Sequence, residues 1–299
     1  MDTPALTITT PVTCAAVSSD TAVVGNEPND TGIHTFDLGS GQPLQTLTGV
    51  GNGGIRFVAI SPNGQLAVAT TDVLKAALWD VNTGRLINTA PGPAVVSDNN
   101  GRLGFSPDGQ AIFSSFFGDL TVFDTALGQK STFRVHLAGA TLFGMASSPE
   151  GRFLAAGYVR FDSGNDVVVY DLVSEKPSLQ FLTNKGFGVT CLAWTGGNII
   201  TGSGNGTIKL WDAQSGAAVS RTFPSHVRAV KSLAVSSDGR LALSGGDDST
   251  MKVMEIASGR ELHSFSHADG QIVAVGFVGS SKAVSCASRT LKVWDLTGL

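Results

Sequence analysis

Residues 189–223 read VTCLAWTGGNIITGSGNGTIKLWDAQSGAAVSRTF. They divide into four short segments, VTCLAW, NIITGS, TIKLWD and AAVSRTF, each long enough for a strand of about five or six residues. The inner segments are apolar almost throughout, as expected of strands covered on both faces by neighbouring layers. The stretch reads as one four-stranded antiparallel unit.

The unit recurs along the chain. An aromatic or large apolar residue followed by an acid closes an alternating strand at Phe36-Asp37, Trp79-Asp80, Phe123-Asp124, Tyr170-Asp171, Trp211-Asp212, Met254-Glu255 and Trp294-Asp295. These seven marks lie 43, 44, 47, 41, 43 and 40 residues apart, a period that identifies a repeat architecture. Glycine-bearing turns follow most of them, ending at Gly84, Gly128, Gly216 and Gly259, where the chain reverses into the next strand. A second turn recurs upstream as SPNG at 61–64, SPDG at 106–109, SPEG at 148–151 and SSDG at 236–239. Proline at the second position and glycine at the fourth suit a type I turn between antiparallel strands.

SGNGTIKLWD and SGGDDSTMKVME, with the SPDG turns and the WD dipeptides, resemble WD repeats, and the resemblance covers essentially the whole chain. It implies an all-β fold: a seven-bladed β-propeller of four-stranded antiparallel blades around a central channel. Seven periods use nearly all 299 residues, so residues 1–299 are expected to form a single propeller. Only three strands of the seventh blade lie in the last period, and Ala5 to Thr9 (ALTIT) matches an outer strand in length and character. The N-terminal strand is therefore expected to complete the last blade and close the ring.

The family often links a blade's loops to its third strand through a hydrogen-bonded set of His, Ser/Thr, Asp and Trp. In the sixth period the resemblance points to His226, Ser244 and Asp248, with Met254 at the Trp position. His267 precedes the seventh blade with Ser288 where the acid belongs, and Trp211 has Asn205 there; Trp79, Trp211 and Trp294 complete the structural framework. No blade has the full set.

Catalytic and cofactor chemistry finds little support. His34, His136, His226, His263 and His267 are scattered without ligand spacing. GSGNG at 202–206 superficially resembles a phosphate loop but leads into a strand, whereas a helix N-terminus would be needed to hold pyrophosphate. The acidic loop DSGND at 162–166 lacks the ligand series of a calcium loop. No catalytic residue, metal, cofactor or small-molecule substrate is expected.

Charge and cysteine content narrow the partners. A net charge of −4 and the lack of any Lys/Arg-rich run argue against direct nucleic-acid binding. Cys14, Cys191 and Cys286 have neither metal-site nor disulfide spacing and read as buried thiols in a reducing compartment. MDTPALTITT lacks the charge and apolar run of a signal peptide, and no segment approaches the roughly 18 apolar residues of a membrane span. A cytoplasmic or nuclear location is expected.

Other proteins are the expected partners, with the chain a non-catalytic scaffold or adaptor subunit of a hetero-oligomeric complex. Alternatives are a peptide-reading receptor at the channel mouth and a propeller enzyme. In the resembling family, the loops between blades and between second and third strands are the common binding face. Candidate contact residues on such loops are Phe116 and Phe117, Arg160 and Phe161, Lys185 and Phe187, Arg228, Asp247 and Arg289. Aromatic and Arg side chains are enriched among residues that dominate interface energy. Their run over blades three to five suggests one contact patch, although core packing is the competing reading for Phe117.

Overall fold

A computed structural model describes residues 3–18, 20–25, 32–49, 54–71, 75–91, 102–116, 119–133, 140–160, 166–183, 187–221 and 223–299. All regular structure among them is β, arranged in seven antiparallel sheets. Blade one runs Cys14–Ser18, Thr21–Gly25, Ile33–Asp37 and Pro43–Leu47; blade two, Ile55–Ile60, Leu66–Thr71, Lys75–Asp80 and Leu86–Pro91. Blade three comprises Arg102–Phe105, Ala111–Phe116, Asp119–Asp124 and Gln129–Phe133; blade four, Ala140–Ser147, Phe153–Arg160, Asp166–Asp171 and Lys176–Leu182. Blade five has Val189–Thr195, Asn198–Ser203 and Ile208–Asp212, and blade six Val230–Val235, Leu241–Gly246, Thr250–Glu255 and Glu261–Ser266. Ile272–Val278, Lys282–Ala287 and Thr290–Asp295 make up most of blade seven.

The first strand of each blade contacts the first strands of both neighbours, including blade seven with blade one, so these strands circle the channel. Leu6–Thr9 supplies the outer strand of blade seven, pairing Leu6 with Val293 and Thr9 with Thr290. Ala5 extends the ladder by donating its N–H to the Val293 carbonyl at 2.8 Å. The ring is closed by the strand that leads the chain.

The apolar core is divided into seven layers, each lying between two adjacent blades. Each sheet is covered on both faces, which accounts for its apolar inner strands. The large residues at the repeat marks fill these layers: Trp79, Tyr170, Trp211, Met254 and Trp294 are all buried. The acid that follows has a different task. Asp80 accepts the Thr83 N–H at 2.9 Å, and Asp212 accepts both the N–H and the hydroxyl of Ser215. It pins the reversal into the outer strand, in the manner of an Asx turn.

Blade five departs from its expected pattern. AAVSRTF does not form a full outer strand: Ala218 bridges Trp211 and the Val219 N–H reaches the Leu210 carbonyl at 2.9 Å. The Arg221 N–H then turns back to the Val219 carbonyl at 2.7 Å, taking the chain off the ladder before Phe223 buries between blades five and six.

Candidate functional site

Among the described residues, the second-to-third-strand loops of blades five, six and seven lie against the loops between blades, and backbone hydrogen bonds latch the two sets together. The His226 N–H donates to the Gly206 carbonyl at 2.9 Å, His267 to Ser249 at 2.8 Å and Val12 to Ser288 at 2.9 Å. Each bond joins the loop entering one blade to a loop of the blade before it. Blades five, six, seven and one thus present a rigid arc.

Side chains reinforce the latch in blade six. Nδ1 of His226 lies 2.9 Å from Asp248 Oδ1, and Nε2 lies 2.7 Å from the Ser244 hydroxyl. With Nδ1–H donating to the carboxylate, Nε2 accepts from Ser244. Asp248 also accepts the Val227 N–H at 2.9 Å and the Thr250 hydroxyl at 2.7 Å. Burial pushes the His226 pKa down despite the pull of Asp248. Burial alone would raise Asp248, yet the bonds from His226, Thr250 and Val227 hold it below the usual carboxylate range. These groups fix a loop.

The hydroxyl two places beyond the residue paired with the third-strand Trp explains the other blades. Trp211 donates to Thr201 and Trp294 to Ser285, both at 2.8 Å. In blade two that place is Ala69, and the Trp79 indole reaches back to the Thr48 carbonyl, also at 2.8 Å. The acid near His267 is Asp269 and not the residue at the Ser288 position. Asp269 Oδ2 lies 3.5 Å from His267 Nδ1 and 2.8 Å from both the Lys292 ammonium and the Thr290 hydroxyl. The HAD tripeptide at 267–269 was the sequence signal for it.

Of the candidate contact residues, Phe117, Phe161 and Lys185 lie outside the described residues, as does most of the DSGND loop. Phe116 and Arg160 end the second strands of blades three and four, opposite Asp119 and Ala140. Phe187 and Arg228 are exposed and lie together around the Gly204–Gly206 turn, where the Gly204 N–H donates to the Phe187 carbonyl at 2.9 Å. Arg289 is exposed on the same end of blade seven. Val227 joins them with 89% of its surface open, beside Phe187 at 56%. Sequence reasoning passed over Val227, because an isolated valine in a loop carries no pattern.

Asp247 stands where this arc meets the channel. The channel cavity of about 390 Å3 is walled by apolar residues such as Phe57, Leu103, Phe143, Leu233 and Val273, with Lys231 and Asp247 among its polar lining. One Asp247 oxygen lies 3.3 Å from the Lys231 ammonium; the other, Oδ1, is buried without a hydrogen-bond partner.

The described residues contain no group of three His, Cys, Asp or Glu arranged to hold a metal ion. Burial pushes the Cys14 thiol up to about 11 and the Cys286 thiol up to about 12, so neither supplies thiolate near neutral pH. Among the described residues no helix is long and apolar enough to cross a membrane. The glycines of the phosphate-loop lookalike serve packing: a Cβ on Gly206 would stand 2.1 Å from the His226 carbonyl oxygen.

Comparisons with known proteins agree with this architecture. The family model described as "WD domain, G-beta repeat" matches residues 176–212 and 218–254. WD repeat-containing protein SL1-17 of Schistosoma mansoni is 27% identical over 208 residues, 69% of this chain and 52% of that protein. Human angio-associated migratory cell protein is 24% identical over 249 residues, 81% of this chain and 48% of that protein. The chain thus spans about half the length of these relatives. A chain in the crystal structure of the mitotic checkpoint complex superposes with a TM-score of 0.81 at 21% identity, covering 99% of this chain and 92% of that one.

Proposed function

We propose that this chain, which belongs to the WD-repeat β-propeller family, works as a non-catalytic scaffold holding other proteins on the rigid loop arc of blades five to seven. The observation that carries this reading is the exposure of Phe187, Val227 and Arg228 on two loops that backbone hydrogen bonds tie to the Gly204–Gly206 turn. Exposed aromatic, aliphatic and Arg side chains near one turn have the composition of an interface centre. A pre-ordered surface also binds without the cost of ordering its loops. Three cysteines outside any disulfide suit a cytoplasmic or nuclear setting, where thiols stay reduced.

Asp247 favours a second reading, a peptide receptor at the channel mouth. A buried carboxylate oxygen without a partner is destabilising, and a donor side chain entering the channel would satisfy it. Both readings are tested by purifying the tagged chain and its partners from cells. Phe187→Ala/Val227→Ser/Arg228→Glu should lose partners at unchanged melting temperature under the scaffold reading. Asp247→Asn should lose them under the receptor reading. Full retention of every partner by both variants defeats both.

A further inference from the structure

The opposite face of the ring holds a separate feature. There, the first-to-second-strand turns of blades three and four, the outer strand of blade three and the third-to-fourth-strand turn of blade four enclose an open groove of about 630 Å3. Its floor is apolar, built from Ala111, Phe113 and Val122 of blade three and Leu172 of blade four. Val173, next along the blade-four turn, is 79% exposed.

Charge on the rim is one-sided. Asp108, Glu150 and Glu175 line the groove against a single ammonium, Lys130. Lys130 acts on Asp108, helping to hold that carboxyl below its usual range behind the larger effect of the Ser106 hydroxyl bond. Arg152, which also acts on Glu150, is bridged to Asp171 at 2.8 Å, so that pair adds no net charge and the excess negative charge falls on the side of Glu150 and Glu175. Glu175 also accepts a hydrogen bond from the Ser131 hydroxyl, across the boundary between the two blades.

The backbone at Glu175 marks the position further. Gly41, Gly84, Gly216 and Gly259 occupy the corresponding turn position in blades one, two, five and six, at φ of 76°, 69°, 69° and 77°. Glu175 adopts φ of 55° there, a left-handed conformation that disfavours any side chain. A carboxylate is held over the groove where glycine would fit more easily.

We infer that this groove docks a peptide segment of a partner protein, with an aliphatic side chain on the Phe113–Leu172 floor and a lysine or arginine beside Glu150 and Glu175. The apolar floor supplies contact area and the rim selects for positive charge. This second site does not depend on the loop arc, so one propeller can hold two partners on opposite faces.

The probe is a fluorescein-labelled peptide, Leu-Arg-Leu-Lys-Leu-Arg-Leu-Lys, measured against the full chain by fluorescence anisotropy beside a version with Glu at every basic position. Saturable binding that weakens with salt is expected for the basic peptide alone. Glu150→Gln/Glu175→Gly should bind roughly tenfold more weakly, about threefold for each lost surface charge. Glycine at 175 suits the left-handed backbone, so the melting temperature should be kept. Phe187→Ala/Asp247→Asn should bind as the unaltered chain does. The proposal is overturned by equal binding of the acidic peptide, by undiminished binding to the double variant, by loss in the Phe187/Asp247 variant, or by no binding at about 1 mM. If the double variant melts early, amide shift mapping of the unaltered chain decides: shifts at 106–113 and 172–176 support the groove, and shifts confined elsewhere refute it.

Discussion

Protonating His267 should weaken the fold, and the size of the effect follows from its surroundings. The residue is 1% exposed and lies edge-on to Trp294, with ring centroids 6.5 Å apart. Neither ring nitrogen has a well-formed hydrogen bond, and the nearest carboxylate oxygen, Asp269 Oδ2, is 3.5 Å from Nδ1. Burial, then the Lys292 ammonium, push its pKa from the ordinary 6.5 down to about 4; Asp269 and the Ser285 backbone pull the other way only in part. Between those values the unfolded chain takes up a proton that the native chain refuses, so stability falls as pH drops from about 6.5 towards 4 and levels off below. At about 1.4 kcal/mol per pH unit the full gap corresponds to about 3 kcal/mol, and solvent screening near the ring reduces this to about 2 kcal/mol. Urea unfolding of the intact chain and of His267→Gln at pH 7.5, 6.5, 5.5 and 4.5 measures it. His226 and the carboxylates titrate in both proteins, so the difference between the two curves isolates His267. The intact chain should lose about 2 kcal/mol more than the variant across this range; parallel curves would refute the reasoning.

Two further substitutions probe closure and the latch. Ile8 is buried against Leu291 and Val293, so Ile8→Ala should cost about 2–4 kcal/mol in thermal or urea unfolding, against less than about 0.5 kcal/mol for Leu44→Ala on the half-exposed edge of blade one. Gly206→Ala combines a φ of 85° with a Cβ 2.1 Å from the His226 carbonyl oxygen. It should lower the melting temperature well beyond Gly279→Ala, where φ is 58° and nothing lies within 4 Å of the added carbon.

What could be read from the residues was what repeats. Seven marks, six aromatic and one Met254, share one register because each large side chain packs into an inter-blade layer and the acid after it pins a turn. The closing strand was legible as well, since ALTIT had the length of the outer strand that blade seven lacked. The short outer edge of blade five was not, because AAVSRTF has strand composition although its ladder pairing with the third strand stops after Val219. Asp269 escaped because the acid arrives from a different loop than in blade six. Contact surfaces were least legible. Val227 differs from a buried valine only in where its loop is held, and the acidic groove exists only because the turns of two neighbouring blades stand side by side.

The pairing of Leu6–Thr9 with Thr290–Asp295 also sets a schedule for biosynthesis. These partners are separated by almost the entire chain, and at roughly 5–20 residues per second the first waits on the order of 15–60 s for the second to leave the ribosome. During that interval blades one to six can assemble, but the ring stays open. Two apolar faces, one on blade one and one on the latest blade to form, stand uncovered meanwhile. Uncovered apolar faces favour aggregation, and this window closes only when Leu6–Thr9 meets the strand at Thr290–Asp295.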